Sequence, residues 1–101
     1  MVVYNITIKV ESAVAAAFIG WMQEEHMPLV ISTGCFESGR LLRLLETDDS
    51  DGPTYAVQFT APSAASYREY RNRHAENHQQ IIGQKWAGRY VSFSSVMELV
   101  R

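Results

Sequence analysis

The sequence has little of what usually identifies a function. Cys35 is its only cysteine, so no internal disulfide can form. The formal net charge of -2 leaves no strongly basic patch, which argues against a nucleic-acid partner. No apolar run is long enough to span a membrane, and residues 1–5 lack the charged-then-apolar pattern of a signal peptide. We therefore expect a cytoplasmic protein with no membrane association. No catalytic motif of high specificity is present.

What is present fits an ordinary globular domain. Of the 101 residues, 47% are hydrophobic and 20% are charged, which is typical of a folded chain with a core. The sequence has no internal repeat, low-complexity tract or linker. Residues 1–101 are predicted to form one domain.

The hydrophobic pattern predicts the element order β-α-β-β-α-β. Strict alternation favours a half-buried first strand, Ser12 is a candidate helix cap, and Pro28 is predicted to follow the end of the first helix. The predicted elements are strands 2–10, about 36–46, 55–60 and 90–100, and helices from 12 to about 27 and from 62 to about 85. Two split β-α-β units predict an α+β, ferredoxin-like fold, with a four-stranded antiparallel sheet and both helices on one face.

The segment Leu41-Leu42-Arg43-Leu44-Leu45 predicts the assembly. It reads as a strand with leucine on both faces, whereas a sheet covered by helices on one side needs only one apolar face. The second cover is most simply another copy of the chain. We therefore expect a homodimer that packs its sheet faces together as a dimeric α+β barrel.

Five stretches resemble a known group of proteins: residues 2–10, 21–28, 33–36, 40–45 and 96–98. Together they are similar to an uncharacterised bacterial domain-of-unknown-function family of small proteins, related to the dimeric α+β barrel superfamily. That superfamily includes haem-degrading and quinol-forming monooxygenases, polyketide cyclases, chlorite-dismutase-like proteins and ligand sensors. The resemblance implies the fold and assigns no function.

Glu25 and His26 are the candidate catalytic residues. At 100° per residue, Glu25 is predicted near the centre of the buried stripe of the first helix, where it faces a pocket or pairs with a buried donor. Alternatively, the helix frays before Pro28 and Glu25 reaches water. His26, at the flank of the stripe, can act with Glu25 as an acid–base pair, or can simply be a histidine favoured by the helix dipole.

The topology places an aromatic group beside this pair. The end of the first helix and the starts of two strands and of the second helix share one end of the domain. The residues predicted to line a small-ligand pocket there are Tyr4, Trp21, Phe36, Tyr67 and Tyr70. The same set also fits an amphipathic edge of the core in which Tyr4 and Tyr67 satisfy a buried carboxylate of Glu25.

His74 and His78 are spaced as two metal ligands on one helix face. The antiparallel helices place Glu25 near Tyr67 and leave the two histidines turns away, with no third ligand at their level. We therefore expect no metal site and no cofactor. Packing roles are favoured for both, with ligand contact, for example to haem, as the alternative.

The function predicted from the sequence is binding of a small molecule of unknown identity. The first alternative is an enzyme of cofactor-independent monooxygenase, cyclase or isomerase type that uses His26 and Glu25. The second is a haem-binding or haem-degrading protein. The third is a purely structural or interaction module.

Overall fold

The computed structural model describes all of residues 1–101 and contains one four-stranded antiparallel sheet. The strands are β1 (Val2–Val10), β2 (Ser38–Arg43), β3 (Thr54–Ala61) and β4 (Tyr90–Glu98), arranged in the order β2-β3-β1-β4. The ferredoxin-like prediction is confirmed. No helix is both long enough and apolar enough to span a bilayer.

Both predicted helices are divided. The first consists of a 3-10 turn (Ser12–Val14), α1 (Ala15–Trp21), a π-helical turn (Met22–His26) and α2 (Met27–Ile31). The second consists of α3 (Ala64–Arg73) and α4 (Ala75–Trp86), with a break at His74, whose φ is -129°. At the start of α3, the Ser63 hydroxyl accepts a hydrogen bond from the Ser66 amide.

Several predicted boundaries are wrong. The first helix does not end before Pro28, which lies in the first turn of α2, directly after the π-helical turn. Ser12 makes no capping hydrogen bond, because Glu11 occupies the position before the 3-10 turn. Strand β2 is shorter than predicted, so the exposed Leu45 lies beyond it, and β4 ends at Glu98.

The core lies between the sheet and the helices. Alternate residues of β1, including Tyr4, Ile8 and Val10, point toward the helices and are buried. They pack in one cluster with Phe18 and Met22 of the first helical region. At about 1.5–3 kcal/mol for each large side chain removed from water, this cluster is the main stabilising term of the fold.

The opposite face of the sheet carries no helix. In the strand register, Asn5 and Thr7 of β1 point to this open face, together with Leu42 of β2 and Phe93 and Met97 of β4. Phe93 is 66% exposed and Leu42 is 39% exposed. The open face therefore mixes apolar and polar side chains, as the alternation of β1 predicts.

Candidate functional site

The π-helical turn decides which residue of the first helix faces the core. The Met27 amide donates to the Met22 carbonyl, five residues back, so this turn contains one residue more than an α-helical turn. His26, four residues after Met22, consequently points inward and is buried, whereas Glu25 is exposed. The predicted burial of Glu25 is wrong, because that prediction assumed 100° of rotation per residue throughout.

His26 lies in an aromatic environment with no charged partner. Its side chain is 2% exposed, it stacks on Trp21 with ring centroids 5.0 Å apart, and the His78 ring meets it edge-on at 5.8 Å. Its Nδ1 atom has no hydrogen-bond partner. Burial lowers the pKa of His26 from its usual 6.5 to about 4, and the nearby His78 adds to the effect. The imidazole is therefore neutral at physiological pH.

His78 connects His26 to Tyr70. The Tyr70 hydroxyl lies 2.7 Å from His78 Nδ1, in a buried hydrogen bond. Burial raises the pKa of the Tyr70 hydroxyl, and neighbouring Tyr4 adds to the rise. Burial also lowers the pKa of His78, with a further contribution from His74. The hydrogen bond therefore joins a neutral phenol to a neutral imidazole at pH 7.

The predicted separation between the Glu25–His26 segment and the two histidines of the second helix is wrong. The first helical region continues to Ile31, so His26 is not at its end but five residues before it. This places His26 level with the start of α4 rather than with the start of α3. His26, His78 and His74 form a row of rings with centroid separations of 5.8 and 5.9 Å.

The predicted aromatic residues come together around Tyr4 instead of around Glu25. The Tyr4 ring centroid lies 5.7 Å from that of Tyr67, 5.8 Å from that of Tyr70 and 6.3 Å from that of Phe36. Trp21 joins the group through His26, His78 and Tyr70. The structure thus connects all of the predicted site residues except Glu25.

A cleft opens beside Tyr4, between α4 and the helix-facing side of β1 and β4. Its volume is about 290 Å³. The residues that line it are Tyr4, Ile6, Ile8, Gln79, Ile82, Tyr90, Ser92, Phe93 and Ser94. None of these residues carries a formal charge, and Phe93 is the one β4 residue among them whose position in the strand register points to the open face. The isoleucines supply an apolar wall, and the polar groups are hydroxyls and one amide.

Three of the polar groups converge on one end of the cleft. Burial raises the pKa of the Tyr4 hydroxyl, and hydrogen bonding by Gln79 and Ser94 partly opposes that rise. Tyr4 therefore belongs both to the aromatic group and to the cleft. A cleft of mostly apolar lining with a few convergent polar groups is the usual form of a small-molecule site.

The sequence contained a signal for this cleft that the predictions did not use. Ser92 and Ser94 occupy positions of β4 that pair with Ile8 and Ile6 and so point to the helix side of the sheet. Two small polar residues where the pattern calls for large apolar ones leave space above the strand. Gln79 gives no comparable signal, since an exposed glutamine on a helix is ordinary.

A second depression, of about 250 Å³, lies at the opposite end of β1. Its lining includes Lys9, Glu11, Asp51 and Arg89. Arg89 and Glu11 form an ion pair with each other, and the Lys9 ammonium donates to the Asp48 carbonyl at 2.9 Å. Because Arg89 and Glu11 are paired and Lys9 is hydrogen-bonded, this depression is a poorer candidate than the cleft.

No three histidine, cysteine or acidic side chains are close enough together to hold a metal ion. His74 and His78 stack with each other and lie outside the lining of the cleft. The absence of a metal from the native protein stays a prediction.

Comparison with known proteins identifies the family. A family model described as a domain of unknown function, DUF4286, matches residues 1–100. The chain belongs to the DUF4286 family. No curated protein matches its sequence.

Solved structures share the fold of this DUF4286 chain at low identity. SnoaB, a cofactor-independent oxygenase from Streptomyces nogalater, is 12% identical, with a TM-score of 0.69 over 99% of this chain and 94% of SnoaB. HapK from Hahella chejuensis is 14% identical, with a TM-score of 0.69 over 99% and 93% of the two chains. A dimeric ferredoxin-like protein of unknown function from Jannaschia sp. CCS1 is 16% identical, with a TM-score of 0.65 over 98% and 100%. These similarities establish the fold and no activity.

Proposed function

We propose that this protein binds a small, uncharged and largely apolar molecule in the cleft beside Tyr4. The observation that carries the proposal is the convergence of the Tyr4, Gln79 and Ser94 side chains at one end of an apolar cleft whose lining contains no charged residue. Hydroxyl and amide groups can donate and accept hydrogen bonds, so a ligand hydroxyl or carbonyl finds partners there. A charged ligand would lose its hydration and find no opposite charge in the lining, since Arg71 acts on Tyr4 only from outside it.

The size of the cleft limits the ligand. Its volume of about 290 Å³ corresponds to roughly ten water molecules, at about 30 Å³ for each water in the liquid. A non-hydrogen atom of an organic molecule needs a similar space. The ligand class that fits is therefore a one- or two-ring molecule of about ten non-hydrogen atoms with one polar end.

Three matched probes test this proposal: 2-naphthol, naphthalene and 2-naphthoate. Titrations followed by amide NMR shifts should show 2-naphthol binding most tightly, with the largest shifts at Ser92, Ser94 and Gln79. Naphthalene should bind more weakly and 2-naphthoate not measurably. Tyr4→Phe should weaken 2-naphthol binding about tenfold, the value of one hydrogen bond, and leave naphthalene binding unchanged.

The matched control uses two adjacent isoleucines of α4. Ile82 lines the cleft and Ile81 does not. Ile82→Trp should fill the cleft and abolish binding of both neutral probes, whereas Ile81→Trp should leave it intact. Shifts that lie elsewhere on the protein, or binding that survives Ile82→Trp in a folded variant, would contradict the proposed site.

We also propose that the protein is a homodimer joined through its open sheet faces. Exposed apolar residues of two different strands, Leu42 and Phe93, share that face. Four strands about 4.8 Å apart and about 30 Å long present roughly 600 Å² per copy, or about 1,200 Å² for two, the lower bound of a stable interface. The dimeric description of the Jannaschia protein also supports this assembly. Sedimentation at micromolar concentration should give twice the chain mass of 11.4 kDa.

An enzyme acting on the bound molecule is the second candidate. The fold similarity to SnoaB, a cofactor-independent oxygenase, supports it, as does a phenolic hydroxyl in the cleft at Tyr4. Glu25 and His26 do not line the cleft, so the acid–base role predicted for them would pass to Tyr4. No histidine faces the cleft either, so its lining does not favour the haem alternative. Native mass spectrometry of freshly purified protein, followed by turnover assays on any retained ligand, separates an enzyme from a binder.

A further inference from the structure

Four polar side chains, one from each strand, form a continuous row across the open face. Arg40 Nε donates to Gln58 Oε1 at 3.0 Å, and Gln58 Nε2 donates to Asn5 Oδ1 at 3.3 Å. Asn5 Nδ2 then donates to Ser95 Oγ at 3.4 Å and to Thr7 Oγ1 at 3.0 Å. The pairs Arg40–Gln58, Gln58–Asn5 and Asn5–Ser95 are register partners in adjacent strands. We call Arg40, Gln58, Asn5 and Ser95 the polar row.

The large side chains beside the polar row are apolar. On one side, the next open-face positions of the four strands hold Leu42, Ala56 and Phe93, together with the polar Thr7. On the other side, Val3 of β1 and Met97 of β4 share a level with the polar Thr60 and Ser38. Asn5, in the middle of the row, is only 7% exposed in the single chain. Any partner on this face would remove the row from water completely.

The polar row retains unused hydrogen-bonding groups. After the bonds within the row, Gln58 keeps one amide N–H, Asn5 keeps one carbonyl lone pair, and Arg40 keeps its terminal N–H groups. Pressed against apolar side chains, these groups would lose their water without gaining a partner, which is unfavourable. Pressed against a second polar row, donors and acceptors can pair across the interface.

We propose that the polar row determines how two copies of this chain align in the dimer. This inference rests on the homodimer proposed above. A two-fold interface requires a surface that complements itself, and one row supplies both unused donors and unused acceptors. In the alignment where the two rows meet, the unused donors and acceptors pair with each other. Alignments shifted along the strands would place these unused groups against Leu42 or Phe93. A single buried asparagine selects the alignment of coiled coils by the same principle, at some cost in affinity.

Distances between spin labels test the alignment. Cys35 is the only cysteine, so Cys35→Ser with Gln80→Cys places one nitroxide per chain on an exposed position of α4, away from the open face. Double electron–electron resonance should give one narrow distance across the dimer. Replacing the centre of the row by Asn5→Leu with Gln58→Leu should leave a dimer whose dissociation constant is no higher, but whose label distances are broad or multiple.

The control changes the same strand and face away from the row. Thr54→Leu with Thr60→Leu should keep the single narrow distance, since both threonines lie on the open face of β3 outside the row. If the double variant of the row does not fold, Gln58→Leu alone interrupts the row and should also broaden the distances. A row variant that folds, dimerises and retains the single narrow distance overturns the inference and leaves the dimer standing. A protein that is monomeric at micromolar concentration overturns both.

Discussion

Lowering the pH from 7.5 to 5 should destabilise this protein, because His26 is buried as a neutral imidazole. Its pKa is about 4 in the fold against 6.5 when unfolded, so the unfolded chain takes up the proton first as the pH falls. The stabilisation is fully present above pH 6.5 and is lost progressively between 6.5 and 4. From these two pKa values, the loss is about 2 kcal/mol at pH 5 and about 3 kcal/mol once the pH is below 4.

That loss is a large part of the stability of a domain of this size, which is typically about 5–15 kcal/mol. His78 contributes with the same sign, because burial also lowers its pKa. Asp48 and Asp49 have lowered pKa values through hydrogen bonds with Ser50 and Arg43, so their contribution is lost only below the usual carboxyl range. The window between pH 4 and 6.5 therefore reports mainly on the buried histidines.

The assay is urea unfolding, followed by circular dichroism at a fixed protein concentration, at several pH values between 7.5 and 4.5. His26→Phe should reduce the dependence of the free energy of unfolding on pH by about 2 kcal/mol between pH 7.5 and 5. His74→Gln, at the far end of the histidine row, should keep most of that dependence. A free energy of unfolding that is flat over this range in the unmodified protein, or equally steep after His26→Phe, would refute the reasoning.

Three further substitutions have definite expected results. Phe93→Lys should reduce the sedimenting mass from twice the chain mass to 11.4 kDa while the fold is retained, because this side chain is 66% exposed in the single chain. Tyr70→Phe should lower the free energy of unfolding by about 1–2 kcal/mol, measured in urea, because it leaves His78 Nδ1 without its partner. Gly52→Ala should lower the thermal midpoint markedly, because a Cβ there would lie 1.8 Å from the Val10 carbonyl oxygen and the glycine φ is +150°.

The predicted order of strands and helices was sufficient to predict the fold. Its signals are local, because side chains of a strand alternate strictly between two faces and those of an amphipathic helix repeat every three to four residues. Leu42 was likewise predicted on the strand with two apolar faces, and it lies on the open face. The predicted ends of helices and strands were wrong where they depended on a single residue, as at Pro28.

The candidate site was harder to predict, because it depends on small displacements that no local pattern encodes. Because one helical turn contains an extra residue, His26 lies on the buried side where regular α-helical spacing would place Glu25. Because the helical region continues past Pro28 to Ile31, His26 lies level with His78. Tyr4, Phe36, Tyr67 and Tyr70 do lie together, since the ends of strands and helices fix their level, but of these four only Tyr4 lines the cleft. Gln79 was not predicted, because its place in the lining of the cleft arises only from the space left above Ser92 and Ser94.

The π-helical turn also determines which single-residue deletions this helix can accept. Its inward residues, Phe18, Met22, His26 and Val30, are spaced four, four and four, whereas a regular helix would space them four, three and four. The chain thus reads as an ordinary amphipathic helix carrying a one-residue insertion. Removing one of the exposed residues 23–25 would restore the ordinary spacing but would leave Pro28 inside a continuous α-helix, where proline is poorly tolerated. A variant that lacks one of these residues should therefore fold stably only if Pro28 is replaced as well.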